Sequence, residues 1–371
     1  MKKFILISPK NRTAYNFRGD LMKAIQKLGY EVIVTGPNQD SIDRINELVV
    51  KFVEVPMNKN GINPFSDLRY LWGLYKVMKR EKVDASLGYT IKPFLYGSIA
   101  ARMAGVKNRS CMIAGAGFLF ASKSLKARII RKVTFFLYRL GLGSAHNVIF
   151  QNIDDLNEFV ECGLVKREKC HVVNGSGVNM TKFTPSGYPE KPAFFFLGRL
   201  IHSKGAMDFM KAAKILKEKY PNARFMILGK VEEAVNDSIK NKEIKPYVES
   251  GVIEHFGETD NITQYYKMTS VFVLPTAYRE GTPRVILEAM ACARPIITTF
   301  TPGCKETVVD GENGFFTPAH DPETLAEKME YFILHPEKVA GMGAKSLELC
   351  KNKYEVGIIN EYMVKFMKLK D

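Results

Sequence analysis

Short apolar strands alternate with amphipathic helical stretches over residues 1–175, and the alternation restarts after a proline-rich break. This constrains the chain more than any other feature. KFILIS leads into a helical pattern over Phe17–Leu28, and EVIVTG, VVKFVEVP, VDASLGY, RSCMIAGAG and NVIFQN follow. Helices are expected between them over Ser66–Arg80, around Pro93–Ala104 and across a basic stretch, and KCHVVNG then precedes Ser176–Phe183. Strict alternation of this kind predicts a parallel sheet with helices on both faces. Residues 184–190, TPSGYPE, have the composition of a linker. Beyond them come AFFFLGR, a helix over Met207–Lys219, ARFMILGK, VIEHFGE, VFVLP, a helix through Glu288, PIITT and a helix over Pro322–Leu334. One or two further helices are expected from Ala340 onward.

At 371 residues the chain exceeds what one core supports. The expectation is therefore α/β with two Rossmann-like domains, residues 1–183 and 184–354, and a terminal helix near 355–371 returning to the first. Open α/β sheets bind ligands beyond the carboxyl ends of their strands, so both domains should present those ends to a central cleft.

Charge narrows the function classes. The net charge is +15, and Ala85–Ile153 holds ten Lys or Arg with no Asp or Glu. Within it, Lys123–Arg139 interleaves basic and large apolar residues, as a core helix with a solvated face would, or a helix lying on an anionic membrane. No helix-turn-helix, RNP sequence or zinc finger accompanies that charge, so a nucleic-acid partner is not expected. The first strand is too short for a secretory core, and no uncharged apolar run reaches the roughly 18–20 residues of a membrane span. Six cysteines without a C-x-x-C pair fit reduced thiols in a cytoplasmic chain.

The chemistry concentrates in the second half. In YREGTPRVILEAMACARP, Glu280 and Glu288 stand eight residues apart across a helix start. Thr282 suits an N-cap and Pro283 the first helical position. Gly281 allows close backbone approach to a ligand, and the helix N-terminus is a seat for negative charge. Gly198–Gly205 follows a strand and carries Arg199 and Lys204, a cation pair able to hold a diphosphate. In Thr301–Glu306, Gly303 and its neighbouring amides offer a further phosphate contact, and Glu306 is expected to begin a helix.

Together these segments resemble the GT-B-fold retaining glycosyltransferases of family 4. The resemblance rests on Gly198-Arg199, Lys204-Gly205, Glu280-Gly-Thr-Pro-Arg-Val-Ile-Leu-Glu288, Glu288–Pro295 and Glu306–Gly314, and covers most of 194–334. Asn16-Phe-Arg-Gly19, Gly29–Val32 and Gly175–Val178 look like the bacterial branch that builds lipid-linked glycan and capsular polysaccharide precursors, including transferases acting on diacetylbacillosamine-capped lipid.

The resemblance implies roles. Arg199 and Lys204 would neutralise the donor diphosphate, Glu288 would accept from the ribose hydroxyls, and Glu280 would bind the donor sugar near the reacting centre. Gly198, Gly281, Thr282, Pro283, Gly303 and Glu306 would line the donor site. The implied reaction moves a hexosamine or hexose from a UDP-sugar to a polyprenyl-diphosphate-linked saccharide, with retention, at the inner face of the cytoplasmic membrane. GDP is not excluded by any residue. No cofactor or metal is expected, because the chain has no D-x-D and the Arg/Lys pair supplies the positive charge.

Two positions depart from the pattern. Ala114-Gly-Ala-Gly117 stands where many relatives carry a histidine, so no general base carries over. Ala293 replaces a usual glycine, read here as local packing, and His202 stays without a role. The competing classes are a nucleotide-sugar epimerase on the same scaffold, which would need an acid/base set, and a two-lobed sugar-binding protein, which would need a signal peptide.

Overall fold

A computed structural model describes residues 1–58, 63–115, 125–233 and 237–370, with side chains of 125–131 left undescribed. The chain forms two compact units, Met1–Ser176 with Val356–Asp371, and Gly177–Glu355.

The first unit contains β1 (Lys3–Ile7), α1 (Asn11–Lys27), β2 (Glu31–Gly36), α2 (Ile42–Asn46), β3 (Lys51–Glu54), α3 (Pro64–Glu81), β4 (Ala85–Tyr89), α4 (Ile91–Ala104), β5 (Asn108–Ile113), α5 (Leu125–Ser144), β6 (Asn147–Phe150), α6 (Ile153–Glu161) and β7 (Cys170–Val172). Its seven parallel strands run in the order β3-β2-β1-β4-β5-β6-β7. Alternation along β1 sends Phe4 and Leu6 to one face, with α1, and Ile5 and Ile7 to the other, with α3 and α4.

The second unit contains β8 (Ala193–Leu197), α7 (Ala206–Lys219), β9 (Arg224–Leu228), α8 (Asn241–Glu249), β10 (Glu254–His255), α9 (Thr263–Lys267), β11 (Val271–Leu274), α10 (Arg284–Ala291), β12 (Ile296–Thr299), β13 (Gly314–Thr317), α11 (Pro322–Leu334) and α12 (Pro336–Lys353). Its strands run β10-β9-β8-β11-β12-β13. Phe194, Phe195, Phe196, Phe272 and Val273 are fully buried, as strands covered on both faces require. In both sheets the order reverses beside the first strand, and such switch points are where open sheets take ligands.

The unit boundary falls at Ser176/Gly177, before the TPSGYPE linker. The reason is packing: Val178 N–H donates to Tyr354 O at 2.9 Å, and Phe183 is buried in the second unit's core. The last helix, α13 (Val356–Phe366), lies in the first unit. Its Ile359 and Met363 join the cluster of Leu21, Met22 and Ile25 from α1. α1 starts at Asn11, ahead of the expected Phe17, and the short strand β13 is an addition to the expected elements. The expected helix over Lys123–Arg139 corresponds to α5, but Lys123 and the side chains of 125–131 lie outside the described residues.

Candidate active site

The site is built from three loops at the carboxyl ends of β8, β11 and β12. Gly198 leaves β8 with its N–H donating to Leu228 O at 3.1 Å, and exposed Arg199 follows. The chain turns back through Lys204 to Gly205, which opens α7 at φ +75. A Cβ at Gly205 would lie 2.1 Å from Pro275 O, so only glycine lets this turn reach the end of β11.

Backbone hydrogen bonds then stitch the loops together. Ser203 O accepts from Ala277 N–H at 2.8 Å and Tyr278 N–H at 2.9 Å. Thr299 Oγ1, at the end of β12, donates to Thr276 O at 2.5 Å. Gly303, at φ +84, sits where a Cβ would be 2.0 Å from Gly281 O. Gly303 therefore packs its backbone on the Glu280-Gly281 turn. The amides expected to hold phosphate belong to a loop braced against that turn.

This bracing brings Lys204 and Glu280 together. Lys204 Nζ lies 2.5 Å from Glu280 Oε1, with both side chains about 15% exposed. The Tyr278 ring stands 5.6 Å from the Arg199 guanidinium and 5.9 Å from Lys204 Nζ. An aromatic ring close to two cations attracts both and helps hold them in place. Sequence alone assigns Tyr278 no role; its position directly between a strand end and Arg279-Glu280 is the available signal.

Glu288 belongs to a different cluster. It is buried within α10, with Arg284 Nε 3.0 Å from Oε1 and the Tyr266 hydroxyl donating to Oε2 at 3.1 Å. Burial lifts its carboxyl above the usual range, and the Arg284 charge opposes that shift. Tyr266 comes from α9, far away in sequence, and its backbone O accepts from Arg294 Nε at 2.9 Å. Arg294 is fully buried, donates through Nη2 to Ser186 Oγ at 2.6 Å and Gly187 O at 3.0 Å, and lies 4.5 Å from the Tyr188 ring. It ties the linker to the unit that follows it.

Three local expectations are corrected. α10 begins at Arg284, with Pro283 in the cap position at φ −65 and ψ 111, so Thr282 lies one residue outside the cap and is buried. Glu306 starts no α-helix: it lies in a 3₁₀ turn, Lys305–Thr307, whose backbone returns to extended at Val308. The Glu306 carbonyl accepts from Lys353 Nζ at 3.1 Å and from the Tyr354 hydroxyl. Ala293 adopts φ +58, a left-handed conformation that explains the usual glycine better than packing does.

Two family models cover most of the chain. One described as Glycosyl transferases group 1 matches residues 181–348, and one described as Glycosyl transferase 4-like matches 5–152. The chain is a glycosyltransferase of GT-B fold, built from these two domains. This glycosyltransferase is 27% identical over 379 residues to the N,N'-diacetylbacillosaminyl-diphospho-undecaprenol alpha-1,3-N-acetylgalactosaminyltransferase of Campylobacter jejuni, covering 98% of this chain and 97% of that one. It is also 27% identical to an Escherichia coli UDP-Gal:alpha-D-GlcNAc-diphosphoundecaprenol alpha-1,3-galactosyltransferase, covering 86% and 82%. An Anabaena protein solved in complex with UDP and glucose shares the fold at a TM-score of 0.80 and 16% identity, over 99% of this chain and 100% of that one.

Proposed function

We propose that this glycosyltransferase moves a hexosamine or hexose from a UDP-sugar to a polyprenyl-diphosphate-linked saccharide, with retention, in bacterial glycan or polysaccharide assembly. The observation that carries the reading is the Lys204–Glu280 pair at the β8/β11 switch point, with Arg199 and Lys204 both beside the Tyr278 ring. The two relatives support the acceptor class, since both are named for undecaprenyl-diphosphate-linked substrates. Both are named for α-1,3 linkages, which a donor α-linked to UDP gives by retention.

In the proposed reaction the C1–O bond to UDP breaks while the acceptor oxygen bonds C1 on the same face. The acceptor's proton passes to the departing diphosphate oxygen. Charge grows on that diphosphate, and Arg199 and Lys204 are fixed cations beside it, which is where electrostatic stabilisation acts. Glu280 orients Lys204 and accepts from donor sugar hydroxyls. Glu288 accepts from the ribose, its carboxylate held by Arg284 and Tyr266. The cation pair supplies the positive charge, so transfer proceeds without a divalent metal.

UDP and GDP binding measured by calorimetry in EDTA tests the donor assignment. UDP should bind without metal, and Glu288→Gln, which keeps the side chain's size, should weaken it. Binding of neither nucleotide would overturn the donor site, and binding of GDP in place of UDP would overturn the choice of base. The proposal also has the enzyme working peripherally at the inner face of the cytoplasmic membrane, held there by the basic helix near Lys123–Arg139. Flotation with anionic and neutral vesicles tests this, and equal binding to both would refute it.

A further inference from the structure

The layer α3–α4–α5 covers one face of the first sheet. Ile5 and Ile7 of β1 pack against Leu74 of α3 and Ala100 of α4. Cys111 of β5 and Val148 of β6 pack against Leu95 of α4 and Tyr138 of α5. Ile7, Gly88, Cys111 and Val148 are register neighbours, so all three helices lie on the same side.

The outer surface of this layer is unlike an ordinary solvated face. On α3, Phe65 is 87% exposed, Leu68 63% and Trp72 47%, while Tyr70, Leu74 and Val77 are buried. The spacing of 65, 68 and 72 is one helical stripe, set opposite the core stripe. Trp72 stacks on Tyr75 at 4.8 Å. On α5, Val133, Phe136 and Leu140 repeat the arrangement and are likewise exposed.

Charge on the three helices is of one sign outward. Their sequences contain only two acids, Asp67 and Glu81. Both are buried and paired, Asp67 with Lys92 Nζ at 2.6 Å and Glu81 with Lys51 Nζ at 2.6 Å. Arg69, Lys76, Lys79, Arg102, Lys132 and Arg139 are exposed on the same helices. Exposed large apolar residues ringed by cations, with no outward carboxylate, match the chemistry of an anionic lipid leaflet. Tryptophan and phenylalanine settle at the headgroup boundary, and no helix among the described residues is long and apolar enough to cross a bilayer.

We propose that α3 is the penetrating edge of the membrane contact. Phe65, Leu68 and Trp72 enter the headgroup–acyl boundary, and the cations of α3, α4 and α5 lie over lipid phosphates. This rests on the reading that the enzyme works at an anionic membrane, and it moves the deepest contact from α5 to a helix outside Lys123–Arg139.

Trp72 is the only tryptophan in the chain, so intrinsic fluorescence reports on this one position. The full chain is mixed with vesicles of equal parts phosphatidylglycerol and phosphatidylcholine, with and without bromine on the acyl chains. The expected result is a blue shift of emission, quenching by brominated chains and loss of quenching by aqueous iodide. Phe65→Ser and Leu68→Ser should each weaken vesicle binding about tenfold, with an unchanged far-UV spectrum. Chain that floats with vesicles while Trp72 stays open to iodide would overturn the role of α3 and leave the membrane reading standing. Chain that does not float at all would overturn both. Trp72 shielded without lipid, together with dimerisation in solution, would assign the face to a second copy and refute the proposal.

Discussion

The two sheets reverse strand order in the same way and place an aromatic beside a cation at each switch point, but with different chemistry. In the first unit the Tyr89 hydroxyl, at the end of β4, donates to Ser8 Oγ at 2.6 Å, and Ser8 donates onward to Lys10 O at 2.8 Å. The Arg18 guanidinium is buried 5.2 Å from the Tyr89 ring and 2.8 Å from Met112 Sδ. In the second unit the Tyr278 ring lies near both exposed Arg199 and the Lys204–Glu280 pair. One switch point is a hydroxyl network over a buried cation. The other carries accessible charge that a diphosphate can replace or complete. Topology is common to both; the exposed Arg199 and the Lys204–Glu280 pair, on which the proposed donor site rests, belong to the second.

The largest test of that difference is Lys204→Ala. Removing one fixed cation from the leaving group should lower kcat about 10²–10³-fold. Glu280→Ala should abolish transfer while UDP affinity stays unchanged or rises, because Lys204 loses the carboxylate that competes with phosphate. Steady-state kinetics and calorimetry on the same preparations separate the two. If UDP binding collapses with Glu280→Ala, the carboxylate is holding the nucleotide, and the division between sugar and diphosphate is wrong.

Glu288 sharpens the contrast within the second unit, since it is a buried carboxylate where Glu280 keeps about 15% of its side chain exposed. Glu288→Ala removes the buried carboxylate that Arg284 Nε meets at 3.0 Å and should cost about 3 kcal/mol of stability. Its raised carboxyl also has a signed consequence. A proton is held more tightly in the folded than in the unfolded chain, so the contribution is full at acid pH and lost as pH rises through the folded value. Thermal melts of the wild type should therefore fall relative to Glu288→Gln as pH rises above the ordinary carboxylate range. Parallel curves for the two proteins would refute this.

Much of this was legible in sequence, and the rest was not for a physical reason. Strands such as VFVLP and the turns at Gly198–Gly205 and Glu280–Pro283 announce themselves because burial on both faces and glycine's conformational freedom leave local marks. The Lys204–Glu280 contact and the Tyr266–Glu288 bond join residues whose meeting depends on which loops touch, and spacing along the chain does not encode that. β13 escaped because GFFT is short and follows a turn-rich segment. The stripe Phe65–Leu68–Trp72 was present as a pattern, but its outward direction became visible only once Tyr70, Leu74 and Val77 were seen to fill the core.

The first unit's network offers a smaller effect. Tyr89→Phe removes one buried hydroxyl and leaves Ser8 its bond to Lys10 O, so the loss should be about 1 kcal/mol. UDP affinity should not change, since the residue belongs to the other unit. A shift in UDP affinity would mean that the two switch points do not act separately.

The smallest expected effect is at Ala293. Its φ of +58 puts an L-residue in the left-handed region, at a cost of about 1–2 kcal/mol that glycine would not bear. Glycine in turn makes the unfolded chain more flexible by about 0.5–1 kcal/mol, and it gives up contacts of a methyl on a residue only 8% exposed. The backbone around it is held independently, because Ala293 O accepts from the Tyr188 hydroxyl at 2.8 Å and the next residue, Arg294, is anchored to the linker. Ala293→Gly should therefore keep the same turn and raise the melting temperature by about 1–3 °C, through relief of backbone strain. A fall in melting temperature would mean that the methyl's packing outweighs the strain, and the position would then be set by contacts with its neighbours rather than by conformation.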